Sequence, residues 1–112
     1  MAAINREDLP YDGNSHNLEG YLYGGVPACL IFFDGPPGSG PKLHRHPYAE
    51  VFVVHEGRAT FTVGDATIEA TGGQILIAPP GTPHKFVNSG TGPLRQLDIH
   101  LNDRFNTEWL ED

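Results

Sequence analysis

Turn-forming residues punctuate this chain too often to leave room for long helices. The 112 residues include 14 Gly and 10 Pro, which fall between short runs rich in β-branched and aromatic side chains. The runs lie at 18–23, 26–33, 48–55, 58–63, 66–70, 74–78, 84–88 and 94–101, and this spacing predicts strands. Glu56-Gly57 and Gly64-Asp65 are hairpin-length gaps, whereas Gly35-Pro36-Pro37-Gly38-Ser39-Gly40-Pro41 is a longer loop. Short strands in a chain of single-domain length predict an all-β fold, a sandwich or barrel of the jelly-roll type. The polar segment 1–17 reads as an arm, 18–102 as the barrel and 103–112 as a tail. Within that tail, 103–111 forms at most a short helix, with Trp109 and Leu110 free to dock on the barrel.

Charge narrows the choice of partners. Seven Lys and Arg against 14 Asp and Glu give a formal net charge of −7, which repels phosphate backbones and anionic lipid, so neither a nucleic-acid nor a membrane partner is expected. The longest apolar run, 26–33, contains Pro27 and is far too short to span a bilayer. The start of the chain lacks a basic segment followed by an apolar block, and the single Cys29 can form no intrachain disulfide, so a reduced, cytoplasmic protein is expected. Cys29 itself reads as a small buried hydrophobe.

Six histidines remain to be placed. His44 and His46 stand two apart, which in an extended strand puts both imidazoles on one face. Glu50 returns to that face with Phe52 and Val54, while Val51, Val53 and His55 point away. His55 is therefore left out of any site. In Ala78-Pro79-Pro80-Gly81-Thr82-Pro83-His84, Pro80-Gly81 suits the centre of a type II turn, a stiff lead into His84. Three imidazoles and a carboxylate are a donor set suited to Fe, Mn, Ni, Co or Zn. The strand at 94–101 is ambiguous, since Leu97, Ile99 and Leu101 share one face and Gln96, Asp98 and His100 the other. If the polar face enters the barrel, those three line the pocket; if the apolar face does, they are solvated. Phe52 and Phe86 share phase with Glu50 and His84 and are candidates for the wall nearest the donors, with Phe61 beyond them. Tyr48 could donate to a bound ligand or sit at the rim. His16 lies in the polar arm and is given no role.

The stretch Gly38-x5-His44-x-His46-x3-Glu50-x6-Gly57 resembles the first sequence motif of the cupin superfamily at every defining position. Gly73-x5-Pro79-x-Gly81-x2-His84-x3-Asn88 resembles the second. The resemblance implies a cupin-type β-barrel that binds one divalent metal through His44, His46, Glu50 and His84, and it implies a homodimer. It also implies oxidative, dioxygenase-like chemistry most often, or isomerase or decarboxylase chemistry, on small acids, diketones or phenolic compounds. In that setting Glu50 is the ligand best able to loosen and act as a base, and Tyr48, Phe52, Phe86 and His100 are the substrate-pocket candidates. A non-catalytic small-molecule binder with a bound metal, and a purely structural metal, are the competing expectations.

Overall fold

The computed structural model describes residues 2–112 and is almost entirely β-structure. Ten strands run in chain order: β1 (Ser15–Glu19), β2 (Cys29–Gly35), β3 (His44–Arg45), β4 (Glu50–Glu56), β5 (Arg58–Val63), β6 (Ala66–Thr71), β7 (Ile75–Ala78), β8 (His84–Asn88), β9 (Leu94–His100) and β10 (Glu108–Trp109). They form two five-stranded antiparallel sheets, ordered β1-β2-β9-β4-β7 and β10-β3-β8-β5-β6. Among the described residues, the only helical segments are single 3₁₀ turns at Arg6–Asp8 and Gly20–Leu22. No described helix is long and apolar enough to cross a membrane. This is the all-β jelly-roll architecture expected from the spacing of the runs.

Several boundaries differ from the expected ones. The first strand starts at Ser15, so Ser15, His16 and Asn17 of the anticipated arm pair with Phe33, Phe32 and Ile31 of β2. The Leu18–Tyr23 stretch then breaks at Gly20, where a Cβ would lie 1.9 Å from the Val26 carbonyl oxygen, so only glycine fits beneath that backbone. The tail forms no helix. Glu108 and Trp109 instead pair with Arg45 and His44 of β3 as an edge strand, and Trp109, though 60% exposed, rests against the His44 ring.

The strand phase sets the interior. On β4, Glu50, Phe52 and Val54 are buried while Val51 and Val53 are half-buried. His55 is exposed, as its phase requires. On β9, Leu94, Gln96, Asp98 and His100 are all buried, so the polar face enters the barrel. The register gives the reason: Glu50 stands opposite His100 and Phe52 opposite Asp98. Directly paired residues share a face, so an inward Glu50 brings His100 with it. The outward Leu97 and Ile99 remain half-buried. One end of the interior is filled by Phe33, Phe52, Phe61 and Phe86 with small residues such as Ala59 and Ala78 between them. Phe61 centres this packing, 5.1 Å from the Phe52 ring and 5.4 Å from the Phe86 ring. Cys29 is fully buried and unpaired, as a small hydrophobe would be.

Candidate metal centre

The other end of the interior is polar. Donor atoms of His44, His46, Glu50 and His84 all lie within 4.8 Å of one another, and all four residues are buried. They do not converge from one strand face. His44 starts β3 in one sheet, the chain bends at Pro47 and Tyr48, and Glu50 starts β4 in the other sheet. The donors therefore meet across the space between the sheets. His84 lies directly opposite His44 in the β3–β8 pairing, so two imidazoles come from neighbouring strands of one sheet and the carboxylate comes from the facing sheet.

A stiff turn precedes His84, as its sequence predicts. Thr82 N–H donates to the Pro79 carbonyl at 3.2 Å, and Gly81 sits at φ +76°, where a side chain would be strained. Gly81 N–H also donates to the His46 carbonyl at 2.7 Å, tying this turn to the other histidine segment.

Each of the three imidazoles has its Nδ1 against a backbone carbonyl: His44 against Lys42 at 2.6 Å, His46 against Asn106 at 2.9 Å and His84 against Thr82 at 2.9 Å. A carbonyl only accepts, so each Nδ1 carries the proton, and each neutral ring turns its Nε2 lone pair toward the centre. There, the Nε2 atoms of His46 and His84 both stand 3.1 Å from Glu50 Oε1. The His46 approach is close but misaligned for a hydrogen bond, which leaves that buried nitrogen without a hydrogen-bond partner. Lone pairs crowded on an anionic oxygen repel unless a proton or a cation stands among them. The residues thus fit a divalent ion, and the carbonyls that fix the three tautomers are the outer contacts such a ligand set needs.

Without a metal, protons take up part of this imbalance. Burial drives the His44 pKa down to about 4. Burial is also the largest influence on His84 and acts to lower its pKa, but the hydrogen bond to Glu50, the Thr82 carbonyl and the Glu50 charge together outweigh it and raise the value above the ordinary one. Burial acts to raise the Glu50 pKa, and its contacts with His100, His46 and His84 more than offset this, holding the carboxyl well below the usual range.

His100 completes the Glu50 surroundings. Its Nε2 lies 3.2 Å from Glu50 Oε2, and its Nδ1 lies 2.7 Å from Tyr48 Oη, which itself accepts from Asn106 N–H at 3.2 Å. Tyr48 thus stacks on His46, with ring centroids 5.0 Å apart, behind the donors rather than on the cavity wall. Its hydroxyl is used up in holding His100. Burial raises its pKa to about 12, so it stays protonated and donates. Phe52, Phe86 and His100 do line the adjoining cavity of about 510 Å³, together with Asp98, Phe105 and Trp109. Phe61 lies deeper, in the apolar packing. His16 is remote, bonded to the Leu9 carbonyl.

Sequence reasoning missed the tail. The Asn106 carbonyl aims His46, the Asn106 N–H anchors Tyr48, and the Trp109 ring lies 5.0 Å from that of His44. Two further motif residues brace turns: Asn88 Nδ2 donates to the Gly35 and Gly92 carbonyls, and Gly73 N–H donates to the Val54 carbonyl.

Comparison with known proteins agrees with this architecture. The chain is 36% identical over 77 residues to uncharacterized protein MJ1618 of Methanocaldococcus jannaschii, covering 68% of this chain and 62% of that relative's length. An uncharacterized conserved protein with a double-stranded beta-helix domain from Klebsiella pneumoniae superimposes with a TM-score of 0.76 at 21% identity, over 100% of this chain and 99% of that one. Bacillus subtilis oxalate decarboxylase, a protein with Mn(II) centres, superimposes with a TM-score of 0.80 at 22% identity, over 93% of this chain but only 30% of the enzyme. Identities this low speak for the fold alone. Residues 31–100 match the family model of the cupin domain; with both motifs in place and their histidines and glutamate gathered inside the barrel, the chain belongs to the cupin family.

Proposed function

We propose that the chain binds one divalent metal ion through His44, His46, Glu50 and His84 and is a metal-dependent enzyme acting on a small organic acid or a phenolic or enolisable substrate. The observation that carries this reading is the common aim of the four donors: three imidazoles whose Nδ1 atoms are tied to carbonyls face one carboxylate at the head of a cavity large enough for a small molecule. The ion, when bound, would supply Lewis acidity toward an oxygen of the substrate, with Fe, Mn, Ni or Co adding redox capability and Zn none.

The protein's own residues supply the rest. His100 holds Glu50 Oε2 and leaves Oε1 toward the other donors. Tyr48 holds His100 in turn. Phe52 and Phe86 exclude water from the wall. Glu50 is a base only when the imidazoles release it. Asp98, wholly buried on the cavity wall, is a second carboxyl for proton exchange with a substrate.

Elemental analysis of the purified chain tests the first half: about one equivalent of a transition metal, lost in Glu50→Gln, is the expected result. Oxygen uptake and product formation with a panel of enolisable acids and phenols test the second. A metal-loaded chain that binds members of the panel but transforms none is a binder rather than an enzyme. The same reading includes a homodimer, for which the exposed Ile75 and Ile77 on edge strand β7 offer a seat, and light scattering decides it. A cytoplasmic setting agrees with the buried free thiol of Cys29.

A further inference from the structure

The charge on the cavity wall points to the kind of molecule it admits. Its volume is about 510 Å³, and its apolar surface comes mainly from Phe33, Phe52, Phe86, Phe105 and Trp109. The ionisable side chains on the wall are acids and imidazoles, with no Lys or Arg among them. All seven Lys and Arg side chains are engaged elsewhere, such as Arg45 with Glu108, Lys85 with Glu111 and Arg95 with Asp34. Asp98 is 3% exposed, and its only hydrogen bond comes from Gln96 Nε2 at 2.7 Å. Asp12 stands at the mouth, its carboxylate oxygens accepting from the backbone N–H groups of Asn14 and Ser15.

A carboxylate ligand brings only acceptors and a negative charge. Drawn in between aromatic rings and acids, it would find the bound ion as its sole cation, with no Lys or Arg to balance a second carboxylate. A hydroxyl-bearing ring brings donors that Asp98 and Asp12 can accept, and faces that the phenylalanines and Trp109 can cover. We propose that the cavity takes an uncharged aromatic molecule bearing adjacent hydroxyl groups, of the catechol type, and discriminates against dicarboxylates. The proposal rests on the metal-centre reading and narrows its substrate class.

Trp109 is the only tryptophan and stands on the cavity wall, so its fluorescence reports occupancy. Zn(II)-loaded chain, redox-silent and with its zinc content checked by elemental analysis, is titrated with catechol, salicylate and oxalate. Catechol should bind at least about tenfold more tightly than oxalate, the difference expected for one uncompensated charge near the site. Asn17 lies on the same wall, where its Nδ2 donates to Asp12 Oδ2 at 3.3 Å and its Oδ1 has no hydrogen-bond partner, so a replacement that keeps a donor orphans nothing there. Asn17→Lys, which sets a cation beside Asp12, should tighten oxalate and salicylate about tenfold while moving catechol less than about threefold. Asp12→Asn, which keeps one acceptor oxygen, should act in the same direction to a smaller extent. Oxalate or salicylate binding the parent chain as tightly as catechol, or an unmoved ratio in both variants, overturns the proposal. A chain that takes up no zinc defeats the metal-centre reading and this one together, before any ligand is added; a loaded chain that prefers oxalate defeats only the ligand class.

Discussion

Strands β4, β8 and β9 point Glu50, His84 and His100 into the barrel at one end, and a few residues along they point Phe52, Phe86 and Leu94 into it at the other. The backbone and its alternation are the same throughout. One end holds aromatic rings in edge contact, where burial of apolar surface favours the folded state. The other holds four imidazoles and two carboxyls removed from water, each of which must find a partner or shift its pKa. Within one barrel, then, alternation decides which residues are inside, and their chemistry decides whether they stabilise the fold or make a site at its expense.

If that division holds, the largest effect on stability should come from the apolar end. Phe61→Ala should cost about 3–5 kcal/mol in urea denaturation, since the ring is fully buried between Phe52 and Phe86. A loss below about 1 kcal/mol would mean that the aromatic end is not the core. His84→Ala should do the reverse: the metal-free chain should keep its denaturation midpoint to within about 1 kcal/mol, while the stabilisation by metal, about 4 kcal/mol at a thousandfold excess over the Kd, should vanish. Chelator should reproduce that loss in the parent chain.

The next effect depends on pH and separates the two polar faces of the site. In the metal-free chain His44 sits at about 4 against an ordinary 6.5. As pH falls, the unfolded chain takes up this proton first, so the contribution of His44 to stability is complete above 6.5 and is lost between 6.5 and 4. Metal occupancy should fall over the same range, because the imidazoles must be neutral to ligate. Asp98 has the opposite sign. Burial, reinforced by the Glu50 charge, raises its pKa well above 3.8 despite the hydrogen bond from Gln96. Its contribution is therefore present below 3.8 and is lost as pH rises toward its folded value. Asp98→Asn should remove only this second dependence and be more stable than the parent by about 1–2 kcal/mol at neutral pH, with an advantage that shrinks as the pH is lowered. The smallest effect belongs to His16→Ala: metal content unchanged, and at most about 1 kcal/mol lost with the hydrogen bond to Leu9.

How far these features could be read from the chain itself depends on how local their causes are. Gly and Pro spacing marks most of the strand-bearing stretches, because turns are local, and β5 and β8 fall on the expected residues. The donors His44, His46, Glu50 and His84 are recognisable because their motif spacing is as fixed as the backbone that carries them. Their meeting across two sheets is not, since a two-residue β3 followed by a bend at Pro47 looks locally like one continuous strand. The inward face of β9 is invisible in its own alternation, because both faces are compositionally plausible; only the pairing of Glu50 with His100 decides it. The tail is the hardest case. Glu108 and Trp109 become a strand only because β3, more than sixty residues earlier, offers them an edge, and the carbonyl of Asn106 that aims His46 has no side-chain signature at all.

That tail lies outside the stretch that matches the cupin family model, which ends at residue 100. Anyone transplanting this barrel by cutting at residues 31 and 100 would carry over every donor atom yet leave behind the brace that orients His46 and steadies Tyr48. The graft would hold its complete set of ligands with one of them free to swing, and an activity lost that way would be wrongly blamed on the motifs.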